Sequence, residues 1–256
     1  MPVTTATSNW FKSIAPNPAS RLRLFCFPYA GGGSTIFRNW PRQLPPYVEV
    51  VTALLPGREG RFREPPLDSV ERVIDAVTPN ILPWLDRPFA FFGHSMGALL
   101  SFELARRLRR DHALEPEHLF VSGRGAPQLP ERDAPIYNLP EPEFVAELAR
   151  LNGTPREVLE HAELLELIVP LLRADFAVCQ THAYLPAPPL KCPITVFGGL
   201  QDPDVPRESL ELWREQTRAA HALHMLPGDH FFVNQQQADI LRVVSLKLHQ
   251  QVGGAA

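Results

Sequence analysis

The sequence predicts an α/β fold with a mainly parallel central sheet covered by helices on both faces. Two observations carry this reading. Short segments rich in β-branched, aromatic and leucine residues recur along the chain, and helix-like stretches separate most of them. Strands that alternate with helices in this way form parallel sheets buried on both sides.

The elements follow in order. Residues 1–20 hold three prolines and few apolar anchors, so they are expected to form a flexible arm that packs weakly. A single domain is expected over 21–256. LRLFCF (22–27), VEVVTAL (48–54), FAFF (89–92) and HLFV (118–121) read as strands, joined later by ITVFG (194–198) and the weaker ALHML (222–226). Helices are expected at 69–82, 97–110, 206–218 and 236–250. The stretch 97–110 shows why: Ala98, Phe102, Ala105 and Leu108 share one face, while Arg106, Arg107, Arg109 and Arg110 occupy other positions. Residues 126–190 break the alternation. They offer no clear strand but two helical stretches, 141–151 and 155–182, between proline-rich segments. Their leucines, among them Leu159, Leu164, Leu165, Leu171 and Leu172, exceed what one face of a surface helix needs, so a lid over an apolar cleft is expected, with padding of the sheet edge as the alternative.

The totals exclude several classes. The chain has 256 residues, 45% of them hydrophobic and 21% charged, as in ordinary globular proteins, so whole-chain disorder is out. A net charge of −3 provides no global field for nucleic acid. Cys26, Cys179 and Cys192 form no C-x-x-C pair, and a disulfide framework is not expected. No apolar run reaches the roughly 18 residues a membrane span needs, and residues 1–20 lack the apolar core of a signal peptide. The expectation is a cytoplasmic protein without membrane contact.

The chemistry centres on Gly93-His94-Ser95-Met96-Gly97, which sits between an apolar strand and a helix. That is the context of a G-x-S-x-G nucleophile elbow, whose strained turn pushes the serine into a cleft. A serine hydroxyl needs a base to take its proton and an acid to orient that base. Elbows of this kind are followed in the chain by Asp or Glu and then His, each on a loop after a strand. Asp202, just beyond Gly198-Gly199, and His230, in the loop after the last strand, meet this order. Asp204 is the rival to Asp202. The remaining histidines of the nine read as ordinary polar residues, with His94 as a support for the turn, and Asp175 reads as structural. Two backbone amides should face the developing oxyanion. Met96 follows the nucleophile, and the second donor comes from the glycine-rich turn after the first strand: Ala30, with Tyr29 and Gly31 as alternatives. Gly31-Gly32-Gly33 lacks the endings and spacing of phosphate loops, and no His, Cys and carboxylate cluster has metal spacing.

Taken together, F-P-Y-A-G-G-G (27–33), L-P-G-R-E (55–59), G-H-S-M-G-A (93–98), S-G-x-x-A-P (122–127), G-T-P (153–155), L-R-A-D-F (172–176), G-G-x-x-D-P (198–203) and G-D-H-F-F (228–232) resemble, in order, the type II thioesterases of polyketide and non-ribosomal peptide synthases. The resemblance implies an α/β-hydrolase fold with a mobile helical lid. It also implies Ser95 as nucleophile, His230 as base, Asp202 as acid, and Ala30 and Met96 as oxyanion donors. The implied substrates are acyl groups held as thioesters on the phosphopantetheine arm of an acyl or peptidyl carrier protein, and the implied job is editing of stalled units. No cofactor and no metal are expected, and a monomer suffices. Departures fall at Asp229, Asn152 and Thr181-His182, none of them in the triad. Carrier proteins are commonly acidic, which makes the arginines at 58, 61 and 63 and at 106–110 candidate docking patches. A generic carboxylesterase, a carrier-binding module with vestigial catalysis and an acyltransferase are the competing readings.

Overall fold

The computed structural model describes residues 9–130 and 134–253. Its seven-stranded sheet comprises β1 (Phe11–Ser13), β2 (Leu22–Phe27), β3 (Val48–Ala53), β4 (Phe89–His94), β5 (His118–Ser122), β6 (Ile194–Gly199) and β7 (His221–Leu226). The spatial order is β1-β3-β2-β4-β5-β6-β7; β1 runs antiparallel to β3 and every other pairing is parallel. Each expected strand is present within a residue or two of its bounds.

The strands read as continuous apolar runs because both sheet faces are covered. Successive residues of β2 divide between two cores: Phe25 and Phe27 join α1 (Val70–Ile81) and α2 (Met96–His112), whereas Leu22, Leu24 and Cys26 join α8 (Gln237–Gly253). Helix α1 begins where Ser69 Oγ accepts the Arg72 N–H at 3.3 Å, a side-chain cap on an otherwise unpaired donor. The stretch expected as one helix at 206–218 is α6 (Arg207–Glu211) running into a 3₁₀ turn at Leu212–Gln216, and α7 (Phe232–Gln235) is a short turn before α8. No described helix is long and apolar enough to cross a membrane.

The amino-terminal segment corrects the expectation of a weakly packed arm, as far as it is described; residues 1–8 lie outside the described residues. Phe11 is buried against Phe25, with ring centroids 5.5 Å apart, and the Leu54 N–H donates to the Trp10 carbonyl at 2.7 Å. Beside it lies the buried carboxylate of Glu49 on β3. That charge would be costly alone, and it is met by Arg23 Nε at 2.9 Å, Ser13 Oγ at 2.7 Å and Ser20 Oγ at 3.3 Å. The segment is ordered because it completes that cluster and adds a strand to the sheet edge.

The interruption after β5 contains α3 (Glu141–Leu151), α4 (Arg156–Leu159) and α5 (Ala162–Gln180), so the stretch expected at 155–182 is two helices. Ile136, Phe144, Leu148, Val169 and Leu172 form a small core of their own there.

Candidate active site

All the residues singled out for chemistry lie at the carboxyl ends of strands, where parallel sheets place their ligands. Ala30 follows β2, Ser95 follows β4, Asp202 follows β6 and His230 follows β7. Ser95 has φ 54° and ψ −114°, a conformation that L-residues rarely adopt. Its N–H donates to the Ser122 carbonyl of β5 at 2.7 Å, which holds the elbow against the neighbouring strand. The flanking glycines are steric necessities. A Cβ on Gly93 would fall 2.1 Å from the Gly97 carbonyl oxygen, and one on Gly97 would fall 2.1 Å from that of Phe27.

The structure brings Ser95, His230 and Asp202 into one line. Ser95 Oγ lies 3.0 Å from His230 Nε2, and His230 Nδ1 lies 2.7 Å from Asp202 Oδ2. The Asp202 side chain is fully buried, and its other oxygen accepts the N–H groups of Asp204 at 3.0 Å and Val205 at 3.2 Å. A carboxylate so placed takes the Nδ1–H and leaves Nε2 with a free lone pair toward Ser95. Asp204 is separated from this line. It caps Asp202 through its backbone, and its carboxylate faces Arg150 of α3 at 3.5 Å.

His94 supports the site through His230 rather than through Ser95. Its Nε2 lies 2.9 Å from the His230 carbonyl, which can only accept, so Nε2 carries the proton; Nδ1 accepts from Ser122 Oγ at 2.9 Å. Burial, and then the adjacent His230, hold the His94 pKa well below the ordinary histidine value. It therefore stays neutral and keeps this bonding pattern. Gly123, at φ +60°, makes room, since a Cβ there would meet His94 Cε1 at 2.6 Å.

The amide of Met96 opens helix α2 and has no intrahelical acceptor, as for any first-turn N–H. In the glycine-rich turn, the Gly31 N–H is spent on Asp175 Oδ2 at 2.7 Å. That removes Gly31 from the candidates for the second donor. Ala30 lines the same cavity as Ser95 and His230. This cavity measures about 1170 Å³ and runs beneath α5, where Leu171, Leu172 and Phe176 contribute apolar wall. The helical insertion touches the loops around the site: α3 through Arg150 and Asp204, and Gly153 through Phe231, whose ring would lie 2.6 Å from a Cβ at that glycine.

The two arginine clusters, candidate docking patches in the sequence, are largely engaged within the chain. Arg58 and Arg61 are buried; Arg58 pairs with Asp175 at 2.6 Å, and Arg61 pairs with Glu64 at 2.5 Å and stacks over Trp10 at 4.0 Å. Arg63 is exposed. On α2, Arg106 binds Glu103, Arg107 binds Asp75, Arg110 binds Asp111, and Arg109 donates to the carbonyls of Pro188 and Pro189. Among the described residues, no group of three or more His, Cys, Asp or Glu is arranged to hold a metal ion.

The profile of the thioesterase domain matches residues 22–248. The chain belongs to the thioesterase family. Among curated relatives, this thioesterase is 46% identical over 241 residues to the gramicidin S biosynthesis protein GrsT of Aneurinibacillus migulanus, covering 94% of each chain. It is 38% identical to the thioesterase PikA5 of Streptomyces venezuelae, over 95% of this chain and 87% of the relative. Among solved structures, RedJ, the thioesterase of the prodiginine pathway in Streptomyces coelicolor, superposes with a TM-score of 0.83 at 38% identity, covering 91% of this chain and 90% of RedJ. The fold of this thioesterase is therefore that of the α/β-hydrolase thioesterases; YbtT, a type II thioesterase of the yersiniabactin non-ribosomal peptide and polyketide pathway, superposes with a TM-score of 0.84 at 28% identity, covering 94% of this chain and 99% of YbtT.

Proposed function

We propose that this thioesterase hydrolyses acyl groups from the phosphopantetheine arm of carrier proteins through an acyl-Ser95 intermediate, clearing stalled or aberrant units from a synthase. The observation that carries the proposal is the line Asp202–His230–Ser95, with contacts of 2.7 and 3.0 Å, opening on a cavity of about 1170 Å³. The relatives' pathways supply the substrate class.

In the proposed cycle Ser95 Oγ adds to the thioester carbonyl carbon while its proton passes to His230 Nε2. Asp202 stabilises the resulting imidazolium through Nδ1. The oxyanion faces the Met96 and Ala30 amides, each worth about 3–4 kcal/mol in comparable sites. The carbon–sulfur bond then breaks, and the carrier thiolate takes the proton from Nε2. Water enters, gives its proton to Nε2 and attacks the acyl carbon; the acid departs and Ser95 regains its proton. The insertion α3–α5 acts as a lid that lines the acyl channel. A site complete within one chain supports a monomer, and three buried cysteines without a disulfide fit a reducing, cytoplasmic setting.

The test compares short acyl groups on a carrier protein with the same groups as oxygen esters, using wild type and Ser95→Ala. Wild type is expected to clear the carrier thioester and prefer it, with the folded mutant inactive on both. Preference for the oxygen ester would make the protein a generic esterase, and carrier binding without turnover would make it a binding module.

A further inference from the structure

A buried ion pair that the proposed cycle does not use lies directly behind the oxyanion turn. Arg58 and Asp175 are separated by 117 positions in the chain, yet Arg58 Nη2 meets Asp175 Oδ1 at 2.6 Å, with side chains only 7% and 3% exposed. Such a pair is weak evidence for a stabilising role, because desolvation of both charges offsets most of their attraction. What distinguishes this one is where its remaining hydrogen bonds go. Asp175 Oδ2 accepts the Gly31 N–H at 2.7 Å, and Arg58 Nη1 donates to the Gly32 carbonyl at 3.0 Å. Both bonds grip the backbone immediately after Ala30.

That backbone is a tight turn, closed by the Gly32 N–H donating to the Tyr29 carbonyl at 2.9 Å. Ala30 and Gly31 occupy its corners, and Gly31 takes φ +74°, as the third residue of a type II turn requires. The peptide between the corners can flip in turns of this kind, and here its N–H points to the Asp175 carboxylate. Helix α5 presses on the same spot, since Leu172 Cδ2 would lie 2.7 Å from a Cβ at Gly31. Leu172 and Asp175 are one turn apart on α5, so a single helix face supplies both the steric stop and the acceptor.

We propose that Asp175 and Arg58 are positioning residues: they hold the Tyr29–Gly32 turn in the orientation that aims the Ala30 amide at the oxyanion, and they tie that aim to the seating of α5. The inference rests on the reading of Ser95 as nucleophile and Ala30 as donor given above. Neither side chain touches the reacting atoms. Their effect is felt in the transition state, because a preorganised donor displaced by about 1 Å loses most of its value.

The test uses Asp175→Asn, Arg58→Lys and the apolar double variant Arg58→Met/Asp175→Leu, which removes both buried charges together and so guards against misfolding. Three quantities are measured: kcat and KM on an acyl-carrier thioester, the affinity of an alkylboronic acid that forms a tetrahedral adduct on Ser95, and the melting temperature. The expected result is a fall in kcat of roughly 10- to 100-fold with KM within about threefold, and boronate affinity weakened in parallel, even in a double variant that melts like wild type. Folded variants with undiminished kcat and boronate affinity, whatever their melting temperature, would overturn the inference. If wild type fails on the carrier thioester but its boronate affinity still depends on Asp175 and Arg58, the substrate reading falls and the positioning role stands.

Discussion

Replacing Ser95 by glycine should stabilise the protein relative to Ser95→Ala while leaving both inactive. The backbone at position 95 has φ 54° and ψ −114°. Strain of this kind costs an L-residue about 1–3 kcal/mol, and glycine, which reaches the mirror of the extended region freely, escapes it. Both substitutions delete the same contact, Ser95 Oγ to His230 Nε2 at 3.0 Å, so that loss cancels in the comparison. Glycine carries its own penalty of about 0.5–1 kcal/mol from the greater freedom of the unfolded chain. Taken at mid-range, about 2 less about 0.75 kcal/mol, the difference leaves Ser95→Gly more stable than Ser95→Ala by about 1 kcal/mol. Urea unfolding of the two variants reads this as a higher midpoint at an unchanged slope, and a thermal melt as a shift of roughly 2–4 °C. If the alanine variant is as stable as the glycine variant or more so, no strain is stored at the elbow and the argument for it fails.

Two further outcomes follow from the same structure. Asp202→Asn should lower kcat by about 10³- to 10⁴-fold, because the amide can no longer hold His230 in the tautomer that leaves Nε2 free, whereas Asp204→Asn should stay within about threefold of wild type; equal losses in steady-state assays would mean that the acid is shared or misassigned. His118, the buried first residue of β5 beside Thr195 of β6, has its pKa pushed down to about 3, chiefly by burial and then by Lys247. The unfolded chain takes up this proton near pH 6.5 and the native chain refuses it, so the neutral histidine's contribution is intact above pH 6.5 and is lost as pH falls toward 3, at up to about 1.4 kcal/mol per pH unit. Urea unfolding at pH 7.5, 6 and 5 should therefore show a shallower loss for His118→Phe than for wild type, and parallel curves would remove His118 from the acid response.

Much of this site can be read locally. The elbow is written in the chain because its two glycines are demanded by backbone contacts within a strand, a turn and a helix, and the order Ser, Asp, His follows from loops placed after successive strands. Even β7, whose sequence is weak as a strand, forms beside β6. The amino-terminal strand was invisible for the opposite reason. Phe11–Ser13 is too short to show a period, and what orders it lies on other strands: pairing with β3, the ring of Phe25 and the carboxylate of Glu49.

What the sequence determined by itself was the α/β class, the position of the elbow and the residues able to form its relay, since these depend on periodicity, glycine sterics and chain order. What only the tertiary structure decided was the assignment of polar groups to partners. Asp202 rather than Asp204 faces His230, the Gly31 N–H goes to Asp175, His94 braces the His230 backbone, and Arg58 and Arg61 turn inward instead of forming a surface patch. Most of these choices join residues far apart in the chain, 117 positions for Arg58 and Asp175 and 136 for His94 and His230. Charged and polar side chains look alike in a sequence whether they are solvated or buried; only the packing around them shows which hydrogen bonds replace the water they have lost.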